Sequence, residues 1–191
     1  MKNIVLFGPP GAGKGTQSDR LNAKYNLSHI STGDLLRRHL SNGTKLGKEA
    51  QKYMDEGHLV PDKVVIDMVD EKINSSSNTS GYIFDGFPRT VPQAEALDAL
   101  LEKNNTPIRI MLMLDVPESE LFKRLLERGN TSGRVDDQSE DKIKTRIEIY
   151  KRETVPVADY YNVQSKLSKI NGVGAIEEIF GRICSAVDSM E

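Results

Sequence analysis

A glycine-rich segment close to the amino terminus constrains the fold of this chain most. The short apolar run Ile4–Phe7 leads directly into the segment Gly8–Lys14, which has the spacing G-x-x-x-x-G-K, and a helical pattern follows. In this setting the glycines let the backbone curl so that successive N–H groups face phosphate oxygens, and the next helix adds positive potential at its N-terminus. The segment therefore predicts a loop that binds the phosphates of a nucleoside triphosphate, with Lys14 as a mobile charge for the β and γ phosphates.

The residue after the lysine departs from the general form of this motif. A serine or threonine there usually holds Mg²⁺ through its hydroxyl, whereas this chain has Gly15 and places the hydroxyl one residue later, at Thr16. The pattern therefore does not support direct ligation of Mg²⁺ by the loop. Asp85 ends the apolar segment Tyr82–Phe84, and we predict that it holds the ion through the ion's water shell. The alternative role for Asp85 is a helix or turn cap.

The order of apolar segments indicates an α/β fold. Strand patterns alternate with longer helical patterns, which is typical of a parallel sheet covered on both faces, with ligands beyond the carboxyl ends of the strands. We predict one domain over residues 1–191, with the three-layer α/β/α architecture of P-loop NTPases and a five-stranded parallel sheet. The predicted strands are Ile4–Phe7, His29–Ser31, Tyr82–Asp85, Ile108–Val116 and Lys166–Ile170. The predicted helices are Gly13–Tyr25, Gly33–Leu40, Lys45–Asp55, Asp62–Ile73, Thr90–Leu101, Glu118–Arg128, Ser139–Arg152, Val155–Tyr161 and a last helix whose apolar stripe runs from Ile176 to Val187.

Composition and charge exclude several classes of protein. The formal net charge of -2 argues against a general nucleic-acid binder, since such proteins usually carry a basic excess. The single cysteine, Cys184, excludes an internal disulfide framework and a Cys-rich zinc site, and its place on the last apolar stripe predicts a buried apolar role. The first apolar run is too short for a signal peptide, and no apolar stretch approaches the roughly 20 residues that a membrane helix needs. We expect a cytoplasmic protein that binds neither nucleic acid nor membranes.

Four motifs, in order and with consistent spacing, carry a resemblance to a known family. They are Gly8–Thr16, Ser31–Arg37 (STGDLLR), Asp85–Thr90 (DGFPRT) followed by Gln93, and Gly133–Asp137 (GRVDD). Together they cover almost the whole chain, and they resemble the adenylate kinase family of nucleoside monophosphate kinases in its short-lid form. The resemblance implies a monomer that reversibly transfers the terminal phosphoryl group of ATP to AMP, with Mg²⁺ bound to ATP and no structural zinc.

For the acceptor, the resemblance implies a phosphate clamp and a base pocket. Arg37 and Arg89 grip the acceptor phosphate, since a guanidinium meets two phosphate oxygens at once. Thr32 and Gln93 read adenine, whose edge a carboxamide can pair with by donating and accepting together. Gln93 also stands three residues after Thr90, as in a capping box, and this second interpretation stays open. The implied AMP site comprises Thr32, Arg37, His58, Leu59, Val60, Gly86, Arg89, Gln93, Arg134 and Arg146.

For the donor, the resemblance implies that basic residues surround the transferring phosphoryl group. Such a group needs positioning and neutralisation of charge on its equatorial oxygens, and an anionic acceptor needs no general base. The alternative for Arg124 is a surface ion pair, because Glu120 stands four residues before it on the same helix. The implied catalytic residues are Lys14, Arg89, Arg124, Arg134 and Arg146. The implied ATP site comprises Gly11, Ala12, Gly13, Lys14, Gly15, Thr16, Arg128 and Gly174.

The resemblance also implies two small mobile lobes inserted in the domain. Residues 31–74 form the lobe over the acceptor, and residues 129–138 form a short lid. In the lid, Gly129 and Gly133 flank the segment that leads to Arg134. Closure of such a lid brings Arg134 in and keeps water away from ATP. Asp136 and Asp137 are expected to be hinge residues or partners of the arginines.

Three other functions fit part of this pattern. A UMP/CMP kinase would share the mechanism, but Thr90 and Gln93 resemble the adenylate pattern rather than the pyrimidine one. A regulatory nucleotide-binding module is expected to lack Lys14 or one of the arginines named above, and all are present. A P-loop ATPase or GTPase is expected to carry a hydroxyl residue directly after Lys14, where this chain has Gly15.

Overall fold

The structure, a computed structural model, describes residues 1–76 and 79–190 and contains a parallel β-sheet. Every predicted strand is confirmed, with ends that differ from the prediction by one residue at most. In the described part of the chain the strands lie in the order β2-β3-β1-β4-β5, so β1 and the loop that follows it stand at the centre of the sheet. The strands are β1 (Asn3–Phe7), β2 (Ser28–Ser31), β3 (Tyr82–Asp85), β4 (Ile108–Asp115) and β5 (Leu167–Asn171).

The register of the sheet brings three strand ends together at one edge. Asp85 at the end of β3 stands level with Leu6 in β1 and with Ser31 at the end of β2. Because the strands run parallel, this is the edge where ligands bind in such sheets. The segments that leave β1, β2 and β3 therefore start side by side.

Helices form the connections between the strands and cover the sheet. The prediction of one regular helix over Ser139–Arg152 is wrong at its end, because the backbone widens into a π-helical turn at Tyr150–Thr154. A 3₁₀ turn spans Val135–Asp137. The helices are α1 (Lys14–Tyr25), α2 (Thr32–Ser41), α3 (Lys45–Asp55), α4 (Asp62–Asn74), α5 (Val91–Glu102), α6 (Glu118–Ser132), α7 (Glu140–Ile149), α8 (Val155–Val163) and α9 (Ile176–Asp188).

Helix α6 differs most from its prediction. The sequence pattern predicts its end at Arg128, but the helix continues to Ser132, and Gly133 ends it in a left-handed conformation with φ of 64°. Gly129 consequently lies inside the helix and not at the start of a loop. Its lack of a side chain is required there, because a Cβ would lie 2.3 Å from the carbonyl oxygen of Asp137.

Alternate residues of β1 face the two halves of the core. Val5 and Phe7 pack with α4, α5 and α8, whereas Ile4 and Leu6 pack with α1 and α9, as the alternation of side chains along a strand requires. This arrangement confirms the predicted three-layer α/β/α architecture. Cys184 on α9 is buried, at 7% exposure. Within residues 1–76 and 79–190, no helix is both long and apolar enough to cross a membrane.

Candidate active site

The predicted phosphate loop is a tight turn between β1 and α1. Gly11 and Gly13 have φ of 84° and 91°, in the left-handed region that glycine adopts without strain. The Nζ of Lys14 donates to the carbonyl oxygens of Gly8 and Pro9 at 2.8 and 3.0 Å, so this side chain folds back over its own loop. Strand, loop and helix thus have the arrangement that the sequence predicts for phosphate binding.

The surroundings of Lys14 disfavour its positive charge. Loss of hydration is the largest cause that lowers the pKa of Lys14 to about 8. Asp85 opposes this effect, while Arg89, Arg146 and Arg128 add to it by repulsion between like charges. An anion placed among these groups would relieve the repulsion and raise the pKa again. The site therefore favours a multiply charged anion such as a triphosphate.

Asp85 lies beside the start of α1. Its side chain is 12% exposed, and a Cβ built on Gly15 would lie 3.9 Å from its Oδ2. His29 on β2 places Nε2 3.6 Å from the same oxygen and Nδ1 3.5 Å from Asp19. Burial acts to lower the pKa of His29, but Asp85 and then Asp19 outweigh it and raise that pKa. Asp85 is thus an acid at a strand end whose carboxylate faces the phosphate loop.

A cavity between residues of the acceptor lobe and the segment after β3 gathers the residues predicted for the acceptor. Every residue predicted for the AMP site lines this cavity except Arg134. Leu36, Met54 and Val65 give it apolar walls, which suit the faces of a flat base. Its positive charge comes from Arg37, Arg89 and Arg146.

The side chain of Gln93 is engaged at both of its polar atoms. Its Oε1 accepts from the backbone N–H of Arg89 at 2.7 Å, and its Nε2 donates to Oδ1 of Asp62 at 2.7 Å. The Oγ1 of Thr90 accepts from the backbone N–H of Gln93 at 3.3 Å and so caps α5. The hydroxyl half of the predicted capping box is therefore formed, while the carboxamide reaches the N–H of the residue before the cap.

Gly86 receives two of the side chains predicted for the acceptor. Its carbonyl oxygen accepts from Oγ1 of Thr32 at 2.7 Å and from Nε of Arg89 at 2.8 Å. Loss of hydration, followed by repulsion from Arg146, lowers the pKa of Arg89 to about 10. The guanidinium of Arg89 is thus held through one nitrogen, and an anion beside it would stabilise its charge.

One cleft connects the phosphate loop with all the predicted arginines. It adjoins the acceptor cavity, since Arg37, Arg89 and Arg146 line both spaces. Ala12, which is buried, and Gly174, in the loop between β5 and α9, do not line the cleft. The predicted residues that line it are Gly11, Gly13, Lys14, Gly15, Thr16, Arg37, Asp85, Gly86, Arg89, Arg124, Arg128, Arg134 and Arg146.

Acids of the 3₁₀ turn hold two of these arginines. The carboxylate of Asp137 accepts from Nε and Nη2 of Arg128 at 2.6 and 3.1 Å, and it also accepts from Nη1 of Arg146. Asp136 lies 2.8 Å from Nη1 of Arg146. The prediction that Asp136 and Asp137 are partners of arginines is confirmed by these contacts.

Acids on other helices meet the remaining arginines. Nε of Arg124 lies 2.8 Å from Oε1 of Glu120, so the ion pair considered from the sequence is formed. Asp34 accepts from Arg37, and its Oδ1 lies 3.9 Å from Nη2 of Arg134. Loss of hydration, and then the charge of Arg37, lowers the pKa of Arg134. Each pair leaves the arginine on the wall of the cleft, where a phosphate can replace or join the acid.

Two acids that contact predicted binding residues were not predicted from the sequence. Asp34 stands three residues before Arg37 on one helix, and that spacing is a readable signal for a pair. Asp62 follows Pro61 at the start of α4, which reads as an ordinary acid in the first turn of a helix. Its bond to Gln93 crosses 31 positions of sequence, and only the fold reveals it. Within the described residues, no three His, Cys, Asp or Glu side chains are grouped so that they could hold a metal ion.

Comparison with known proteins identifies relatives over the full chain. A family model described as adenylate kinase matches residues 6–166, a span that includes all four motifs. Proteins named adenylate kinase from Bacteroides fragilis and Parabacteroides distasonis are each 51% identical to this chain, over 190 and 191 residues. A protein of the same name from Flavobacterium johnsoniae is 47% identical over 190 residues. Each of these alignments covers 100% of both chains.

Proposed function

The chain belongs to the adenylate kinase family and has the nucleoside monophosphate kinase activity of that family, and we propose that its cleft transfers the terminal phosphoryl group of ATP to AMP. The observation that carries the proposal is the wall of Arg37, Arg89 and Arg146 that the cleft shares with the acceptor cavity. An acceptor phosphate on these arginines would face the terminal phosphate of a donor held by the loop. In-line transfer requires this relation, and the reverse reaction from two ADP uses the same contacts.

On the donor side, the triphosphate lies on the N–H groups of the loop and the N-terminus of α1, with Lys14 on its β and γ oxygens. Arg124, Arg134 and Arg146 neutralise the equatorial oxygens of the group in transfer, and Arg128 binds the donor. Preorganised charges of this kind act strongly once water leaves the site. The acceptor phosphate is already an anion, so no side chain has to take a proton from it.

On the acceptor side, Arg37 and Arg89 clamp the phosphate, while Thr32 and Gln93 read the adenine. Segment 58–60 passes along the same cavity, where its backbone meets the nucleoside. The apolar walls of the cavity support a base at this place. The pyrimidine-acceptor alternative, a UMP/CMP kinase, is not favoured by the relatives, which are named adenylate kinase.

Mg²⁺ is the metal that the family implies, and when bound with ATP it would neutralise negative charge on the phosphates. We propose that Asp85 accepts hydrogen bonds from the water shell of this ion. The support is its position: a carboxylate that is 12% exposed, on the wall of the cleft that Gly15 and Thr16 also line. Since Gly15 has no side chain, no atoms of that residue block the space between Asp85 Oδ2 and the start of α1.

The lobes are part of the same proposal. Residues 31–74 close over the acceptor, and residues 129–138 act as the lid that excludes water from the transfer. Support comes from Arg134, whose Nη2 lies 3.9 Å from Asp34 of the acceptor lobe, so that lid and lobe meet over the cleft. We further propose a cytoplasmic monomer, on the basis of the family resemblance and of the single buried cysteine, Cys184, which suits a reducing compartment.

A panel of acceptors tests the proposed reaction. Purified protein is supplied with ATP, Mg²⁺ and, in turn, AMP, CMP or UMP, and formation of the diphosphates is followed by chromatography. We expect AMP to give the highest kcat/KM and ATP to persist when the acceptor is left out. Equal or faster turnover of CMP or UMP would contradict the choice of acceptor, and loss of ATP without an acceptor would indicate a hydrolase.

A further inference from the structure

Asp62 links the acceptor lobe to the first turn of α5. It is the first residue of α4 and is half-buried. Its Oδ1 accepts two hydrogen bonds, from Nε2 of Gln93 at 2.7 Å and from Oγ1 of Thr90 at 3.1 Å. The proposed reaction assigns no part to this acid, yet it contacts the side chain that is proposed to read the base.

The two partners of Gln93 fix the orientation of its carboxamide. An ionised carboxylate can only accept hydrogen bonds, and a backbone N–H can only donate, so Asp62 must face the amide nitrogen and the N–H of Arg89 must face the amide oxygen. A turned amide would place oxygen against the carboxylate and NH₂ against the N–H. Both contacts would then be repulsive, and the two polar atoms of the buried Gln93 carboxamide would lose their hydrogen bonds. One orientation is therefore strongly preferred.

The fixed amide has a defined polarity toward the acceptor cavity, which Gln93 lines. After these two bonds, the amide keeps one N–H on Nε2 and one lone pair on Oε1 for a ligand. A 6-aminopurine offers a donor at N6 and an acceptor at N1, and this edge matches the amide. A 6-oxopurine offers an acceptor at O6 and a donor at N1, and this edge would require the turned amide. Sites that hold buried polar groups in one polarity reject the mismatched ligand strongly.

We infer that Asp62 is a positioning residue for base selection, which sets the carboxamide of Gln93 to accept AMP and to reject 6-oxopurine monophosphates such as IMP. The inference rests on the proposed role of Gln93 as the reader of the base. A purely structural role for Asp62, such as an acid in the first turn of α4, would change stability and affect both acceptors alike.

The variant Asp62→Asn tests this role, because an asparagine can present either an acceptor or a donor to the amide. The readout is kcat/KM for AMP divided by kcat/KM for IMP. We expect this ratio to fall about tenfold in Asp62→Asn, with a larger change in KM than in kcat. Asp67→Asn is the matched control, since Asp67 lies on the same helix, is exposed and pairs with Lys63. Its ratio is expected to equal that of the unmodified protein.

A double-mutant cycle with Gln93→Leu separates this inference from the function on which it rests. Gln93→Leu alone is expected to lower the ratio, and Asp62→Asn is expected to add nothing in that background. If Gln93→Leu lowers the ratio and Asp62→Asn does not, the inference is wrong and the proposed base reader stands. If Asp62→Asn lowers the ratio equally with and without Gln93, the acid acts by another route and the inference is wrong. If Gln93→Leu leaves the ratio unchanged, both the base reader and the inference are overturned.

Discussion

The buried carboxylate of Asp137 holds the guanidinium of Arg128 with two hydrogen bonds, from Nε to Oδ2 at 2.6 Å and from Nη2 to Oδ1 at 3.1 Å. The side chain of Asp137 is 0% exposed, and it also accepts from Arg146. One acid therefore holds the side chains of two arginines that line the cleft in place. Bidentate, charge-assisted pairs of this kind fix direction as well as distance.

Asp137→Asn is expected to lower both stability and turnover. The change removes a buried charge that two arginines share, and we expect a loss of about 2 kcal/mol or more in the free energy of unfolding. Urea denaturation measures that loss. We expect kcat to fall as well, because Arg128 and Arg146 would no longer be held in place. Asp136→Asn is the graded control, because Asp136 is 23% exposed and its carboxylate meets Arg146. Equal losses in the two variants would contradict the central position of Asp137.

Gly129→Ala is expected to destabilise the protein although alanine is the better helix former. Helix propensity favours alanine by about 1 kcal/mol, but the new Cβ would lie 2.3 Å from the carbonyl oxygen of Asp137 and would displace the turn that carries the acid. Activity should fall together with stability. Gly181→Ala is the control, because Gly181 is exposed on α9 and a Cβ there meets no described atom within 4 Å. That variant should gain stability in thermal unfolding, and a gain in both variants would contradict the close contact.

The affinity for ATP is expected to fall as pH rises above about 8. The pKa of Lys14 is lowered to about 8, so its positive charge is present below that pH and is lost above it. A bound triphosphate stabilises the charged form, and binding above this pH must then take up a proton. Calorimetry of ATP binding in two buffers of different ionisation enthalpy measures this uptake. Lys14→Met should abolish the uptake, and an identical uptake in that variant would assign it to another group.

The lowered pKa of Lys14 also predicts how the free energy of unfolding of the ligand-free protein changes with pH. The pKa of Lys14 is lower in the folded chain than its ordinary value of 10.5. Between these values the unfolded chain binds more protons, so the contribution of Lys14 to stability rises as pH increases through that window. Comparison of the unmodified protein with Lys14→Met by urea denaturation at several pH values isolates this contribution.

The strands and the phosphate loop could be predicted because their signals are local. The run Ile4–Phe7 has the length of a buried strand, and the glycines after it permit the left-handed backbone that a phosphate loop requires. The end of α6 could not be predicted in the same way, because Gly129 reads as a helix breaker. Only the packing of Gly129 against Asp137, eight residues later, shows why a glycine belongs inside this helix.

The sequence indicates which arginines share the candidate site, but it indicates only some of the acids that they contact. Arg37, Arg89 and Arg134 belong to the four motifs, and all six predicted arginines line one cleft. Asp34, Asp136 and Asp137 also belong to the motifs, but the motifs do not state which acid meets which arginine. Asp62 is the clearest case, since its contact with Gln93 depends on how the acceptor lobe returns to the sheet.

Two substitutions divide the proposed site into its donor and acceptor halves. Lys14→Met removes a charge from the phosphate loop and should mainly lower kcat, because that charge acts on the β and γ phosphates of the donor. Arg89→Ala removes a guanidinium that lines the acceptor cavity and the cleft, and it should mainly weaken AMP binding. Folding of both variants is checked by thermal unfolding.

The equilibrium affinity of Arg89→Ala for AMP tests the two-nucleotide site most directly. Isothermal titration of the variant with AMP and, separately, with ATP in the presence of Mg²⁺ gives both dissociation constants. The proposed clamp predicts that the Kd for AMP rises at least about tenfold, while the Kd for ATP changes much less. An unchanged Kd for AMP in a correctly folded Arg89→Ala protein would contradict it.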